Sequence, residues 1–196
     1  MALLKETSMR NSEMDQPTNT EKSKELYEWV QALVCSVLAV VLLFTFVIRM
    51  IGVDGHSMLP TLQHGDRLLV LNSLWYDDYK YGDIVILRKE GVYNDDPIVK
   101  RVIATGGQTV EIDYQKSRVY VDGKAVSEPY IKEFMVQYPY QSITSITVPE
   151  GCIFVMGDNR NNSDDSRNPN LGVVDERLIV GKAILVIFPF SNIHKI

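Results

Sequence analysis

Two hydrophobic patterns divide the chain. From Val30 to Ile48 no residue is charged, and only Gln31, Ser36 and Thr45 carry polar side chains. At about 1.5 Å per residue, such a run nearly spans a hydrocarbon layer about 30 Å thick. Leu26, Tyr27 and Trp29 extend it at one end, and Met50 and Ile51 at the other, so residues 26–51 are predicted to form a transmembrane anchor. Tyr27 and Trp29 suit an interfacial belt, and Arg49 can snorkel at the far end. A core helix of a soluble protein would need only one apolar face. A cleaved leader would have an apolar stretch of about 7–15 residues and then a small-residue cleavage site. Arg49-Met50-Ile51-Gly52-Val53-Asp54 offers no Ala-x-Ala, which favours an uncleaved anchor.

Beyond the anchor the pattern changes to short apolar runs at strand spacing. Strands are predicted at 66–71, 83–87, 98–104, 109–114, 118–121, 143–148, 152–156 and 178–188. Gly65 and Gly82 precede the first two, and Asp122-Gly123 after the fifth is a hairpin signal. Strong helical periodicity is missing after the anchor. The fold class expected is therefore all-β, a barrel-like or sandwich domain over residues 52–196. Residues 125–142, with Tyr130, Phe134, Tyr138 and Tyr140, read as a looser insertion, and residues 1–25 as a polar, disordered tail on the cytoplasmic side. About 145 residues after the anchor suffice for one domain with a real core.

Charge and cysteine usage narrow the partners. The net charge of −5 and the lack of a long basic run argue against nucleic acid. Cys35 lies in the apolar segment and cannot easily meet Cys152, so both read as small buried hydrophobes. No Cys/His cluster has metal-ligand spacing, and no metal or organic cofactor is implied. Arg10, Lys22 and Lys24 before the span, against Arg49 and Arg67 after it, slightly favour an inside N-terminus.

Three stretches carry candidate chemistry. Asp54-Gly55-His56-Ser57-Met58-Leu59-Pro60-Thr61-Leu62 follows the anchor directly and offers Ser57 as a nucleophile close to a membrane surface. Taken alone, its Gly, Ser and Pro could equally be a linker. Lys100, in Ile98-Val99-Lys100-Arg101-Val102, shares a strand face with Ile98 and Val102. If that face is core, desolvation lowers the lysine pKa toward the range of a usable general base; if it is a sheet edge, Lys100 snorkels to solvent. The third stretch, Gly157-Asp158-Asn159-Arg160-Asn161-Asn162-Ser163-Asp164-Asp165-Ser166-Arg167, is dense in short polar side chains that can hold a loop by hydrogen bonds. It fails the spacing of a calcium loop, because Arg160 stands at the second ligand position and the glycine is missing. A Ser-His-Asp arrangement with His56, His64 or His194 lacks a Gly-x-Ser-x-Gly elbow, and these histidines read as surface residues.

Together, in this order after one anchor, these stretches resemble the type I signal peptidases, membrane-anchored Ser/Lys proteases that remove signal peptides from exported proteins. Gly181-Lys182-Ala183 with Phe188-Pro189 is similar to a weaker family box. The resemblance implies Ser57 as nucleophile, Lys100 as general base and Ser163 as the serine that orients the lysine amine. It further implies Asp158 and Arg101 as a structural ion pair, with Asp165 and Arg167 as braces of the same loop. The implied substrates are preproteins with small residues at the first and third positions before the cut, processed at the cell membrane by an extracytoplasmic domain. The chain departs from the family pattern at Gly55, where some members carry a serine oxyanion donor, at Gln108, and at Lys182. A narrower Ser/Lys protease or a catalytically silent preprotein-binding module are the alternatives.

Overall fold

The computed structural model describes residues 19–89, 91, 96–131 and 133–196. Its elements run in order as helix α1 (Asn19–Leu42), a π-helical turn (Leu43–Val47), and twelve strands. The strands are β1 (Ile48–Gly52), β2 (Arg67–Asn72), β3 (Ile84–Leu87), β4 (Ile98–Thr105), β5 (Thr109–Asp113) and β6 (Arg118–Val121). They continue with β7 (Lys124–Ala125), β8 (Ser145–Thr147), β9 (Cys152–Met156), β10 (Val174–Asp175), β11 (Ile179–Phe188) and β12 (His194–Lys195). Two compact units meet between Phe44 and Thr45.

The first unit is a helix long and apolar enough to cross a membrane, Lys22–Val47 being the candidate span, and none of its apolar window is buried. Two expectations change here. Asn19–Glu25 is helical rather than tail, while the rest of the expected tail, 1–18, lies outside the described residues. Cys35 is exposed on the helix instead of buried in protein.

Ile48–Ile51, expected to complete the anchor, instead form most of β1 and belong to the β unit. The reason is pairing: β1 runs antiparallel to β2, from Ile48 opposite Leu71 to Gly52 opposite Arg67, so its backbone groups are satisfied by a sheet. Ile51 packs against the core.

The larger sheet has the order β1-β2-β11-β3-β4-β9-β10, with β12 on β11, and the smaller has the order β7-β6-β5-β8. The fold class is all-β after one helix. β3 is buried along its whole length because both faces of its sheet are covered: Ile84 and Ile86 enter one core cluster, Val85 and Leu87 another. This is why its sequence is a continuous apolar run. A third cluster, with Val110, Ile112 and Val119 of the small sheet, includes Ile103, Phe154 and Met156 from β4 and β9. The β6–β7 turn has positive φ at Asp122 (51°) and Gly123 (73°), the backbone that an Asp-Gly hairpin supplies. After β7, the described residues from 126 to 142 form no regular element.

Candidate active site

Ser57 sits on a loop tied at its base. The Val53 amide bonds the Asp66 carbonyl at 2.8 Å and the Gly65 amide bonds the Val53 carbonyl at 2.9 Å, so residues 54–64 leave and return at one point. Met58 and Leu62 plug the core beneath it, 2% and 0% exposed, and the Leu62 amide bonds the Met58 carbonyl at 2.9 Å. Burying those two side chains is worth about 1.5–3 kcal/mol each. They hold the loop down and leave Ser57 half-buried at the rim.

Lys100 lies in β4, between β3 and β9, and pairs with Val85. It is therefore in a central strand, not at a sheet edge, and its side chain cannot snorkel. It is 4% exposed, and Nζ lies 2.8 Å from Ser57 Oγ. Burial pushes its pKa down from 10.5 to about 8; the carboxylates of Asp165 and Asp164 oppose that shift and the Arg167 guanidinium reinforces it. A buried lysine amine in hydrogen-bond reach of a serine hydroxyl can take that proton at mildly alkaline pH.

The polar loop after β9 closes over the pair. The Arg101 Nε and Nη2 donate to the two oxygens of Asp158 at 2.8 and 2.7 Å, a bidentate bond with the carboxylate fully buried. Arg167 and Asp165, both 0% exposed, form a second such pair at 2.7 and 2.8 Å. Burial alone would raise the Asp165 pKa, but Arg167 and hydrogen bonds from the Gly157 amide and the Ser163 hydroxyl hold it below the usual carboxylate range. Ser163 is buried, and its Oγ donates to Asp165 Oδ2 at 2.7 Å. With its hydrogen committed there, the Ser163 oxygen can act toward an amine only as acceptor.

The structure thus brings Ser57 and Lys100 together and gathers Asp158, Arg101, Ser163, Asp165 and Arg167 behind them. His56 and His64 are exposed and stack with ring centroids 5.9 Å apart. The hydroxyl of Ser57 faces Lys100 instead. Gly55 has φ of 98°, a backbone that strains any L side chain, so the glycine there suits this loop better than a serine would.

Three participants were not singled out from sequence. The Asn159 amide bonds the Ser57 carbonyl at 2.9 Å, and its side-chain amide bonds the His56 carbonyl at 3.0 Å, which ties the backbone at Ser57 to the polar loop. Thr61 donates to Asp158. Gly157 lies so close to Ser163 Oγ and the Ser57 carbonyl that no Cβ would fit. Asn159 and Gly157 were visible as motif members, but which atoms they hold depends on contacts about 100 residues away in sequence.

A cleft of about 240 Å³ opens beside the pair, lined by Gly52, Val53, Ser57, Met58, Ile98 and Lys100 among others. A more open depression of about 800 Å³ lies elsewhere, lined by small-sheet residues such as Glu111 and Tyr120. The smaller cleft is the one with Ser57 and Lys100 in its wall.

A family model described as signal peptidase, peptidase S26, matches residues 26–188. Signal peptidase I of Bacillus licheniformis is 38% identical over 189 residues, which cover 93% of this chain and 99% of that protein. Signal peptidase I S of Bacillus subtilis (strain 168) is 37% identical over 185 residues, 90% of this chain and 97% of its own. A crystal structure of a signal peptidase I from Enterococcus faecalis V583 aligns with 54% of this chain and 97% of its own at 32% identity, with a TM-score of 0.44, too low to add to the fold described above. With the family matched across most of its length and relatives aligned almost end to end, this chain belongs to the signal peptidase family, peptidase S26.

Proposed function

We propose that the chain is a membrane-anchored serine endopeptidase that cuts signal peptides from exported preproteins, with Ser57 and Lys100 as its catalytic pair. The observation that carries this reading is the 2.8 Å approach of a 4%-exposed lysine amine to a serine hydroxyl in the wall of a cleft. Neutral Lys100 removes the Ser57 proton as Oγ attacks the scissile carbonyl carbon. The resulting oxyanion is held by the Ser57 backbone N–H. The Lys100 ammonium then protonates the leaving amine as the C–N bond breaks, and an acyl-enzyme remains. Lys100 next deprotonates a water that attacks the ester, and it returns the proton to Ser57 as the acid leaves. Ser163, whose hydroxyl donates to Asp165, offers its oxygen as the acceptor that orients the lysine amine. Arg101 with Asp158, and Arg167 with Asp165, keep the loop in place.

The substrate is a preprotein with small residues at the first and third positions before the cut, selected because the cleft beside Ser57 excludes larger ones. The apolar helix anchors the enzyme in the cell membrane with the β unit outside the cytoplasm. Confinement to one surface raises the effective concentration of enzyme and substrate. Nothing in the chemistry calls for a metal, a cofactor or nucleic acid. The test is cleavage of a preprotein by the detergent-solubilised protein beside folded Ser57→Ala and Lys100→Ala variants. The reading stands if wild type cuts after a small-x-small site and both variants are inactive. It falls if Lys100→Ala still cuts or if wild type only binds.

A further inference from the structure

Three buried arginines surround the catalytic pair, and each has its own carboxylate. Arg101 takes Asp158 and Arg167 takes Asp165, partners that lie inside the polar loop itself. Arg160 is different. Its carboxylate, Glu128, comes from the irregular segment after β7: Nη1 lies 3.2 Å from Oε2 and Nη2 pairs with Oε1, with side chains only 1% and 5% exposed. The remaining guanidinium nitrogen, Nε, donates to the Gly157 carbonyl at 3.1 Å. Gly157 in turn lies against Ser163 Oγ and the Ser57 carbonyl without room for a Cβ.

The same segment grips the polar loop elsewhere. Asn161 donates to the Phe134 carbonyl and accepts from the Val136 amide, both at 2.8 Å. Fully buried Gln141 donates to the Ser163 carbonyl at 3.2 Å. The Tyr130 ring lies 4.0 Å from the Arg101 guanidinium carbon, and Tyr130 also hydrogen-bonds Glu128 at 3.3 Å.

We propose that Glu128 is a positioning residue for the Ser57–Lys100 pair, acting through Arg160 and the Gly157 carbonyl; this rests on that pair being catalytic. A guanidinium that is 1% exposed cannot be left without a counter-charge. Without Glu128, Arg160 turns toward water or another acceptor, and its Nε leaves Gly157. The peptide touching both Ser57 and Ser163 then loses the bond that sets its height in the site. Glu128 touches no reacting atom; it holds the residue that holds the loop.

The experiment measures preprotein cleavage by the full chain in detergent for wild type, Glu128→Ala, Glu128→Gln, Arg160→Ala and the double alanine variant, each with a thermal unfolding curve. Folded Glu128→Ala is expected to lose about tenfold or more in kcat with little change in KM, the scale that sub-ångström misplacement produces. The acid limb of its pH–kcat profile is expected to move, because Lys100 then meets Asp158, Asp164, Asp165 and Arg167 at altered distances. Glu128→Gln, which keeps the volume and one acceptor, falls between. The double variant is no worse than Arg160→Ala, since both act along one path. A merely stabilising ion pair would lower the melting temperature and leave kcat and its pH profile unchanged, and that result overturns the proposal, as do additive losses in the double variant. If Glu128→Ala does not fold, Glu128→Gln decides by the same criteria. Failure of the underlying reading shows differently, as a wild type that never cuts or a Ser57→Ala variant that does.

Discussion

Lys100 and Arg101 are neighbours on β4 and serve opposite sides of it: Lys100 reaches Ser57 at 2.8 Å, and Arg101 clamps Asp158 at 2.7 and 2.8 Å. Alternation along a strand sends their side chains apart. Asp158 also takes the hydroxyl of Thr61, four residues after Ser57, and its neighbour Asn159 bonds the Ser57 carbonyl. One strand therefore supplies both the amine beside the Ser57 hydroxyl and the clamp that holds the Ser57 loop.

Cleavage should depend on the charge of Lys100. With its pKa pushed down to about 8, only about one amine in ten is neutral at pH 7 and half at pH 8. We expect kcat to climb as pH rises through about 8 and then level off. A pH–rate profile already flat from about pH 6 would remove Lys100 as the base.

The same shift predicts a stability cost. The folded pKa lies below the ordinary lysine value of 10.5, so the unfolded chain binds more protons between about 8 and 10.5. The penalty is fully present below about 8 and fades as pH rises to 10.5; it amounts to up to about 3 kcal/mol. Lys100→Met is expected to be inactive yet to melt at a higher temperature at pH 7, and the gain should shrink toward pH 10. Thermal unfolding at both pH values is the check.

Asp158→Ala strips a guanidinium whose side chain is 10% exposed of its partner. A broken buried pair costs about 3–5 kcal/mol. Asp158→Asn, which keeps an acceptor, should lose less. Unfolding curves of the two variants will rank them, and equal stabilities with wild type would show that the pair carries no net weight.

Gly157→Ala should fold and cut far more slowly. The added methyl would overlap Ser163 Oγ and the Ser57 carbonyl, so one of these must move. A loss in kcat of about a hundredfold is expected. Wild-type kcat in this variant would mean that the loop yields without disturbing the pair.

Much of this protein could be read locally. The uncharged run from Val30 identifies a membrane-length helix. Apolar runs, the first two preceded by glycine, marked β2, β3, β4 and β11 to within a residue or so, and Asp122-Gly123 marked its hairpin, because periodicity and turn chemistry depend on near neighbours. Ser57, Lys100 and the polar loop were recognisable as residue types in motifs. What lay beyond reach were relationships between distant segments. Ile48, Met50 and Ile51 continue the apolar run of the helix past Arg49, and only pairing with β2 makes the stretch strand. Whether Lys100 is desolvated depends on β3 and β9 flanking β4, which nothing near Lys100 specifies. Glu128 looked like any polar residue in a loose segment until Arg160, 32 positions later, was placed against it. Short-range pattern thus determined the elements and the chemical vocabulary. Strand order, burial and the meeting of Ser57 with a lysine 43 residues away were decided by tertiary structure, because a strand's pattern states which faces must be covered but not which segment will cover them.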